Sequence, residues 1–261
     1  MSAYYNENDD YAATWLENLI KRGLIADGVV DRRSIEDVAP NDVKGFTQCH
    51  FFAGIGIWSY ALRLSGWPDD RPIWTGSCPC QPFSQASKAH GTGKGFDDER
   101  HLWPSWEYLI SECRPATITG EQVGNQDGLA WLDVVSSDLE TQGYAFGAVI
   151  ATAAGAGAPH IRQRIWFFAD ACGERVSGLR SRGSVSQLRP WRTFGAMDLR
   201  TVVEVPFSQG SCYPQPLIRK TDAGFANRVG RMRAYGNGMN ASCCALFLQS
   251  VMDCYEERNN V

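Results

Sequence analysis

The stretch TGSCPCQPFS, residues 75–84, sets Cys80 between Pro79 and Pro82 inside a turn flanked by Gly and Ser. Proline fixes its own φ and restricts the residue before it, so the backbone around Cys80 has few conformations open to it. A thiol held that stiffly suits a nucleophile that must meet its target in one geometry. A tight loop with an idle cysteine is the plainer reading of this stretch alone, because Pro-rich turns are common. Two further features carry chemistry-bearing groups: the segment ATITGEQV (116–123), with Glu121 near its end, and PHIRQR (159–164), with Arg162 and Arg164.

These groups need elements to position them. TQCHFFAGIG (47–56) predicts a short apolar strand running into Gly54 and Gly56, and IWSYALRLSGW has helical apolar spacing ending at Gly66. Strand, glycine turn and helix in succession let a ligand approach backbone amides at a helix N-terminus. PIWTGS (72–77) predicts the next strand and delivers Cys80 into the loop beyond it. WPSWEYLISEC predicts a helix, ATITGEQV a strand with Glu121 at its carboxyl end, and YAFGAVIATAAG (144–155) and RIWFFAD (164–170) two more strands. In an open parallel sheet the glycine turn, the cysteine loop and the acidic strand end line one crevice.

A chain of 261 residues, 44% of them hydrophobic, can bury a full core, which predicts one large α/β domain or a domain with a small appendage. The net charge of −4 gives no whole-chain sign of nucleic-acid binding, so such a role must rest on local charge. No cationic-apolar leader and no apolar run of membrane-spanning length occur, so a soluble protein of the cytoplasm, with no membrane partner, is expected. The nine cysteines are scattered and odd in number, which predicts reduced thiols. Cys78 and Cys80 lack a second pair at ligand spacing, and Cys243 and Cys244 sit in a helical pattern, so no metal site is expected.

From residue 171 the texture changes. Periodicity fades, Gly, Ser and Pro are frequent, and residues 171–234 hold eleven Lys or Arg against four Asp or Glu, interleaved with Trp191. Arg-rich loops with aromatics fit phosphate and base contacts, although a solvated irregular subdomain has the same composition. Order returns with a Gly-Asn-Gly turn at 236–238 that opens a terminal helix.

Taken in order, these stretches resemble the DNA cytosine-5 methyltransferases. FFAGIG is similar to that family's first motif, PCQPFS to its nucleophile motif, GEQV to its Glu-Asn-Val motif, HIRQRIWF to its Gln-x-Arg-x-Arg motif and YGNGMN to its final motif. The likeness covers residues 46–170 and 228–250. It implies a class I methyltransferase-like, Rossmann-like α/β fold: a mostly parallel sheet with helices on both faces, plus a small irregular recognition region. The implied division is a catalytic domain over 1–170, a target-recognition region over 171–227, and a C-terminal helix over 228–261 returning to the catalytic domain.

By the same resemblance, Cys80 is the thiolate that adds to cytosine carbon 6, which turns carbon 5 into a nucleophile. Glu121 is the acid near ring nitrogen 3, and Arg164, supported by Arg162, bonds the base's carbonyl oxygen. The target base must leave the duplex to be reached. Gln81 and Ser84 of the nucleophile loop, with Arg180, Arg182, Arg189 and Arg192, are the implied contacts to double-stranded DNA. The expected donor is S-adenosylmethionine, held by Phe52, Gly54 and Gly56 of the first motif, by Pro79, and by Asn237 of the last motif. The activated ring would also attack the carbon of 5,10-methylenetetrahydrofolate to give hydroxymethylcytosine, which remains the alternative donor. RNA cytosine as substrate, or an inactive DNA-binding relative, are the other readings. A monomer in a bacterium or a phage-infected host cell is expected.

One departure from the family is informative. Only 23 residues separate Gly56 from Cys80, so two strand-helix units ordinarily found there are missing. YYNENDDYAATWLENLI resembles the family's second motif and GVVDRRSIEDV its third, which predicts a phage-like short form with those units moved to the N-terminus, residues 1–45. Glu7 then becomes the implied ribose ligand, and Ser34 and Ile35 flank the adenine, with Ser34 standing where an aspartate is usual, Asp31 nearby, and Ile57 in place of a glycine. A capping helix and loop is the competing reading of residues 1–45.

Overall fold

The computed structural model describes residues 2–79, 102–158, 161–171 and 238–259. Strands β1 (Ala3–Asn6), β2 (Gly28–Asp31), β3 (Gln48–Phe51), β4 (Ile73–Gly76), β5 (Thr117–Val123), β6 (Ala145–Thr152) and β7 (Gln163–Asp170) form one sheet in the order β2-β1-β3-β4-β5-β7-β6. All neighbours from β2 to β5 are parallel, and β7 runs antiparallel to both β5 and β6. This is the mostly parallel α/β sheet the sequence predicts.

The order of the first three strands places the N-terminal elements within the sheet. β1 pairs with β3 on one side and β2 on the other, so the N-terminal units form the sheet edge beyond the glycine-motif strand. In chain order the sheet reads 2-1-3-4-5, and starting instead from β3 it becomes the doubly wound 3-2-1-4-5 arrangement. The permutation leaves the sheet intact because strand pairing needs position and direction, not chain order. A capping helix and loop is thereby excluded.

β1, β3 and β4 are buried along their whole length, as parallel strands covered on both faces are. Successive residues alternate between two cores: Tyr4, Trp74 and Phe167 lie in one, Tyr5, Ile73 and Trp166 on the other face. On the first face pack α2 (Pro40–Val43), α4 (Trp103–Cys113) and α5 (Gln126–Thr141), with Trp103, Trp106 and Trp131 in edge-on contact. On the second pack α1 (Asp10–Lys21), α3 (Ile57–Ser65) and α6 (Ala241–Asn259). The α6 stretch that carries Cys243, Cys244 and Leu248 lies against Trp58 and Leu62 of α3 and Trp166 of β7.

Local signals explain the ends. Asp9 caps α1 by accepting from the amides of Tyr11 and Ala12 at 3.1 and 3.0 Å. Asn125 caps α5 through the Gly128 amide at 2.8 Å. Gly56 enters α3 at φ 82°, left-handed backbone that a side chain would strain, and a Cβ there would also press on Leu16 at 3.1 Å and Leu19 at 3.2 Å. Among the described residues no helix is long and apolar enough to cross a membrane.

Candidate active site

The carboxyl ends of β1 to β6 and the amino end of β7 share one rim of the sheet. The chain leaving β3 enters α3 on one face, and the helix preceding β5 covers the other, so the crevice opens beyond β3 and β4, where connections diverge. Phe52, Gly54, Ser77 and Pro79 follow β3 and β4 there, and Glu121 and Arg164 stand at the same end of β5 and β7.

Antiparallel pairing sets Glu121 opposite Trp166 and Val123 opposite Arg164, so the carboxylate and the guanidinium are diagonal neighbours on one face. Arg164 Nε lies 2.6 Å from Glu121 Oε1, and its Nη1 donates to the Gln163 carbonyl at 2.8 Å. Burial raises the Glu121 carboxyl above the usual carboxylate range, and Arg164, then Arg162, then hydrogen bonds from Arg164 and Ser77, oppose that rise without cancelling it. The group can therefore hold a proton more readily than a surface glutamate. Arg162 adopts φ 27°, a strained backbone for a residue with a side chain, where the chain turns into β7.

Donor-side residues gather one strand away. Glu7 follows β1, and its carboxylate accepts from the Gly54 amide at 2.7 Å and from the Asp9 amide at 2.9 Å. Phe52 at φ 51° and Gly54 at φ 56° turn the chain sharply after β3, and among the described residues the heavy atom nearest a Cβ added at Gly54 is the Phe52 carbonyl oxygen, at 4.0 Å. The Phe52 ring rests edge-on against Trp106, 6.3 Å between centroids. Ser34 bonds Glu36 at 3.2 Å beside a single 3-10 turn, while Ile35 is a core residue, 3% exposed. Asp31 is committed elsewhere: Tyr4 donates to it at 2.7 Å and Arg33 pairs with it at 2.6 Å.

Of the two cysteines in the proline loop, Cys78 is in the core, and burial pushes its thiol far above the ordinary range. Pro79 follows it, half-buried. Cys80, Gln81, Ser84, Arg180, Arg182, Arg189, Arg192 and Asn237 lie outside the described residues.

Three residues of this site, Trp58, Ser77 and Cys243, went unnoticed in the sequence. Trp58 of α3 donates its indole N–H to Ser77 Oγ at 3.0 Å, and Ser77 in turn touches Glu121. Cys243 at the start of α6 lies close enough to Glu121 for the carboxylate to help raise its thiol, behind the larger effect of burial. No periodicity or motif signals contacts made between elements so distant in the chain. A separate groove of about 280 Å³, lined by residues 43–47, 72–74, 112–113 and 115–116, opens at the amino ends of β3 to β5, on the far side of the sheet from this chemistry.

Residues 65–184 match the family model of the C-5 cytosine-specific DNA methylases. Similar solved structures include a DNMT2 from Spodoptera frugiperda, 13% identical with a TM-score of 0.44 over 69% of this chain and 45% of that one. Others are the Entamoeba histolytica methyltransferase EhMeth (14%, TM-score 0.39, 64% and 44%) and a putative DNA modification methyltransferase encoded within an E. coli prophage (15%, TM-score 0.37, 65% and 47%). The chain spans about half the length of these structures. No curated protein matches it. The segment that resembles this family model, residues 65–184, holds Cys80, Glu121, Arg162 and Arg164.

Proposed function

We propose that this protein transfers a methyl group from S-adenosylmethionine to carbon 5 of cytosine in double-stranded DNA, through a covalent bond between Cys80 and carbon 6 of a base flipped out of the duplex. The observation that carries this reading is the buried Glu121–Arg164 pair at the carboxyl rim, 2.6 Å apart, beside the strand that leads into the Cys80 loop.

In this scheme the Cys80 thiolate adds to carbon 6, and the electron pair displaced from the ring double bond is drawn toward ring nitrogen 3. Glu121, its proton affinity raised by burial, donates a proton there, and carbon 5 becomes nucleophilic. Arg164 holds the Glu121 carboxylate and stands where it also reaches the base's carbonyl oxygen, with Arg162 behind it. Once carbon 5 has gained its substituent, loss of the carbon-5 proton to a base expels Cys80 and restores the ring. Cys78, buried and protonated, is unsuited to this role, which favours Cys80.

The residues present fit an adenosyl donor. The Glu7 carboxylate accepts from the Gly54 and Asp9 amides, which fixes an acceptor of the kind a vicinal diol bonds beside the glycine turn, and among the described residues no heavy atom comes closer than 4.0 Å to a Cβ added at Gly54. The donor supplies an electrophilic methyl carbon; Phe52 offers a ring face for stacking, and Pro79 and Asn237 complete the pocket. Recognition of DNA is assigned to the basic stretch 171–227, with Arg180, Arg182, Arg189 and Arg192 on phosphates and bases, and Gln81 and Ser84 at the flipped base.

The test is mass spectrometry of nucleosides from DNA and from RNA incubated with the protein and each donor in turn. 5-Methylcytosine in DNA with S-adenosylmethionine is expected. Hydroxymethylcytosine formed only with methylenetetrahydrofolate would overturn the donor, and modification confined to RNA would overturn the substrate.

A further inference from the structure

We propose that Ser77 is a positioning residue for Glu121: locked by the Trp58 indole, its hydroxyl donates to the Glu121 carboxylate and, with Arg164, sets how firmly that carboxyl holds a proton. The inference rests on Glu121 being the acid of the proposed reaction, but the bond itself does not depend on that role.

The geometry follows from strand register. Gly76 of β4 and Gly120 of β5 are paired in a parallel ladder, so the residues after them, Ser77 and Glu121, are neighbours at the rim. A Cβ on Gly76 would strike Trp106 on the first face, so the side chain of the next residue, Ser77, emerges on the opposite face. That face is the one on which Trp58 and Trp166 pack.

Hydrogen-bond chemistry then fixes direction. An indole N–H only donates, and Trp58 Nε1 points at Ser77 Oγ from 3.0 Å. The serine oxygen is thereby an acceptor toward Trp58, and its single hydrogen is left for Glu121. Trp58 cannot easily turn away, because it is 1% exposed and its ring meets Trp166 edge-on at 5.8 Å. A hydroxyl that donates to the carboxylate stabilises its ionised form, opposing the burial that favours the protonated form. The other groups facing Glu121 are Arg164 and Arg162 from the β7 side and the Cys243 and Cys244 thiols of α6, both raised by burial and so uncharged. Ser77 is thus the neutral donor of the set, and it links α3, which begins at the glycine turn of the donor pocket, to the acid.

The experiment is a carbon-13 NMR titration of the glutamate carboxyls in the full chain, with Glu121→Gln used to assign the Glu121 resonance. Ser77→Ala should raise the Glu121 midpoint by about one pH unit, the size of one lost hydrogen bond to a charged group. Ser77→Thr, which keeps the hydroxyl, should restore the wild-type midpoint, and Trp58→Phe should move it in the same direction as Ser77→Ala but less. An unchanged midpoint in Ser77→Ala overturns the proposal, and an unchanged midpoint in Trp58→Phe removes Trp58 from it. Single-turnover methylation across pH should shift in parallel with the titration. A wild-type protein that modifies no cytosine would overturn the proposed function, while the titration would still decide the Ser77 bond.

Discussion

At the scale of single residues, the proposed chemistry is divided between a thiol and a carboxyl. In the proposed scheme Cys80 must ionise, whereas Cys78 two residues before it is packed beside the core aromatics and kept protonated. Duplex DNA carrying 5-fluorocytosine at the target should therefore trap the protein covalently, since fluorine does not leave as a proton does. Cys80→Ala should abolish trapping on a denaturing gel, while Cys78→Ala should leave it in place; a trap that survives Cys80→Ala refutes the assignment. On the donor side, Glu7→Ala should weaken S-adenosylmethionine binding by about 1–3 kcal/mol in titration calorimetry, the cost of removing a hydrogen-bonded acceptor from a partly buried site. Equal affinity in wild type and variant would move the ribose contact to another residue.

Among the elements, the edge formed by β2 depends on an ion cluster as much as on apolar packing. Asp31 ends β2 and binds the Tyr4 hydroxyl of β1 and Arg33, which also reaches Asp42 at 2.9 Å. Burial works against the Asp31 carboxylate, but the bonds from Arg33 and Tyr4 prevail and bring it down to about 2. A carboxyl lowered on folding stabilises the native state above its unfolded value near 4, and that contribution is lost as pH falls toward the folded value. Asp31→Asn should thus cost about 1–2 kcal/mol at pH 7, discounted for the exposure of Arg33, with the gap from wild type closing as pH falls from about 4 to 2. Denaturant midpoints at pH 7 and pH 3 measure this; a gap that persists at low pH would show that packing, not charge, is lost.

For the molecule as a whole, the edge formed by β1 and β2 is continuous with the rest of the sheet. β1 hydrogen-bonds along all four residues to β3, and Tyr5, Leu16, Ile25 and Ala53 form one core cluster shared by the N-terminal units and the glycine turn. Removing residues 1–45 would expose the β3 edge and that cluster together, which predicts an insoluble or molten product with no cooperative thermal transition. A dispensable cap would leave a folded protein with an unchanged melting curve. Covalent breakage with retention of the piece is the sharper control: a chain cleaved between residues 45 and 46 should stay assembled and folded.

What the sequence determined by itself was everything written in local periodicity and punctuation. The five strands from β3 to β7, the glycine-bounded helix 57–65 and the position of Glu121 near the end of β5 were all legible, because strands read as short apolar runs and turns announce themselves through Gly, Pro and Asn. The N-terminal strand and amphipathic helix around Asn6-Glu7 were suggested only by the family resemblance, with a capping helix and loop as the competing reading. Tertiary structure alone decided that β1 and β2 complete the sheet beyond β3, because pairing is a contact between segments that sequence order does not rank. It also decided that Arg164 clasps Glu121, that Ser77 and Cys243 come beside the same carboxylate, and that Trp58 bonds Ser77. Those contacts arise from the register of β4 with β5 and of β5 with β7, and register is set by which faces bury together across the whole sheet.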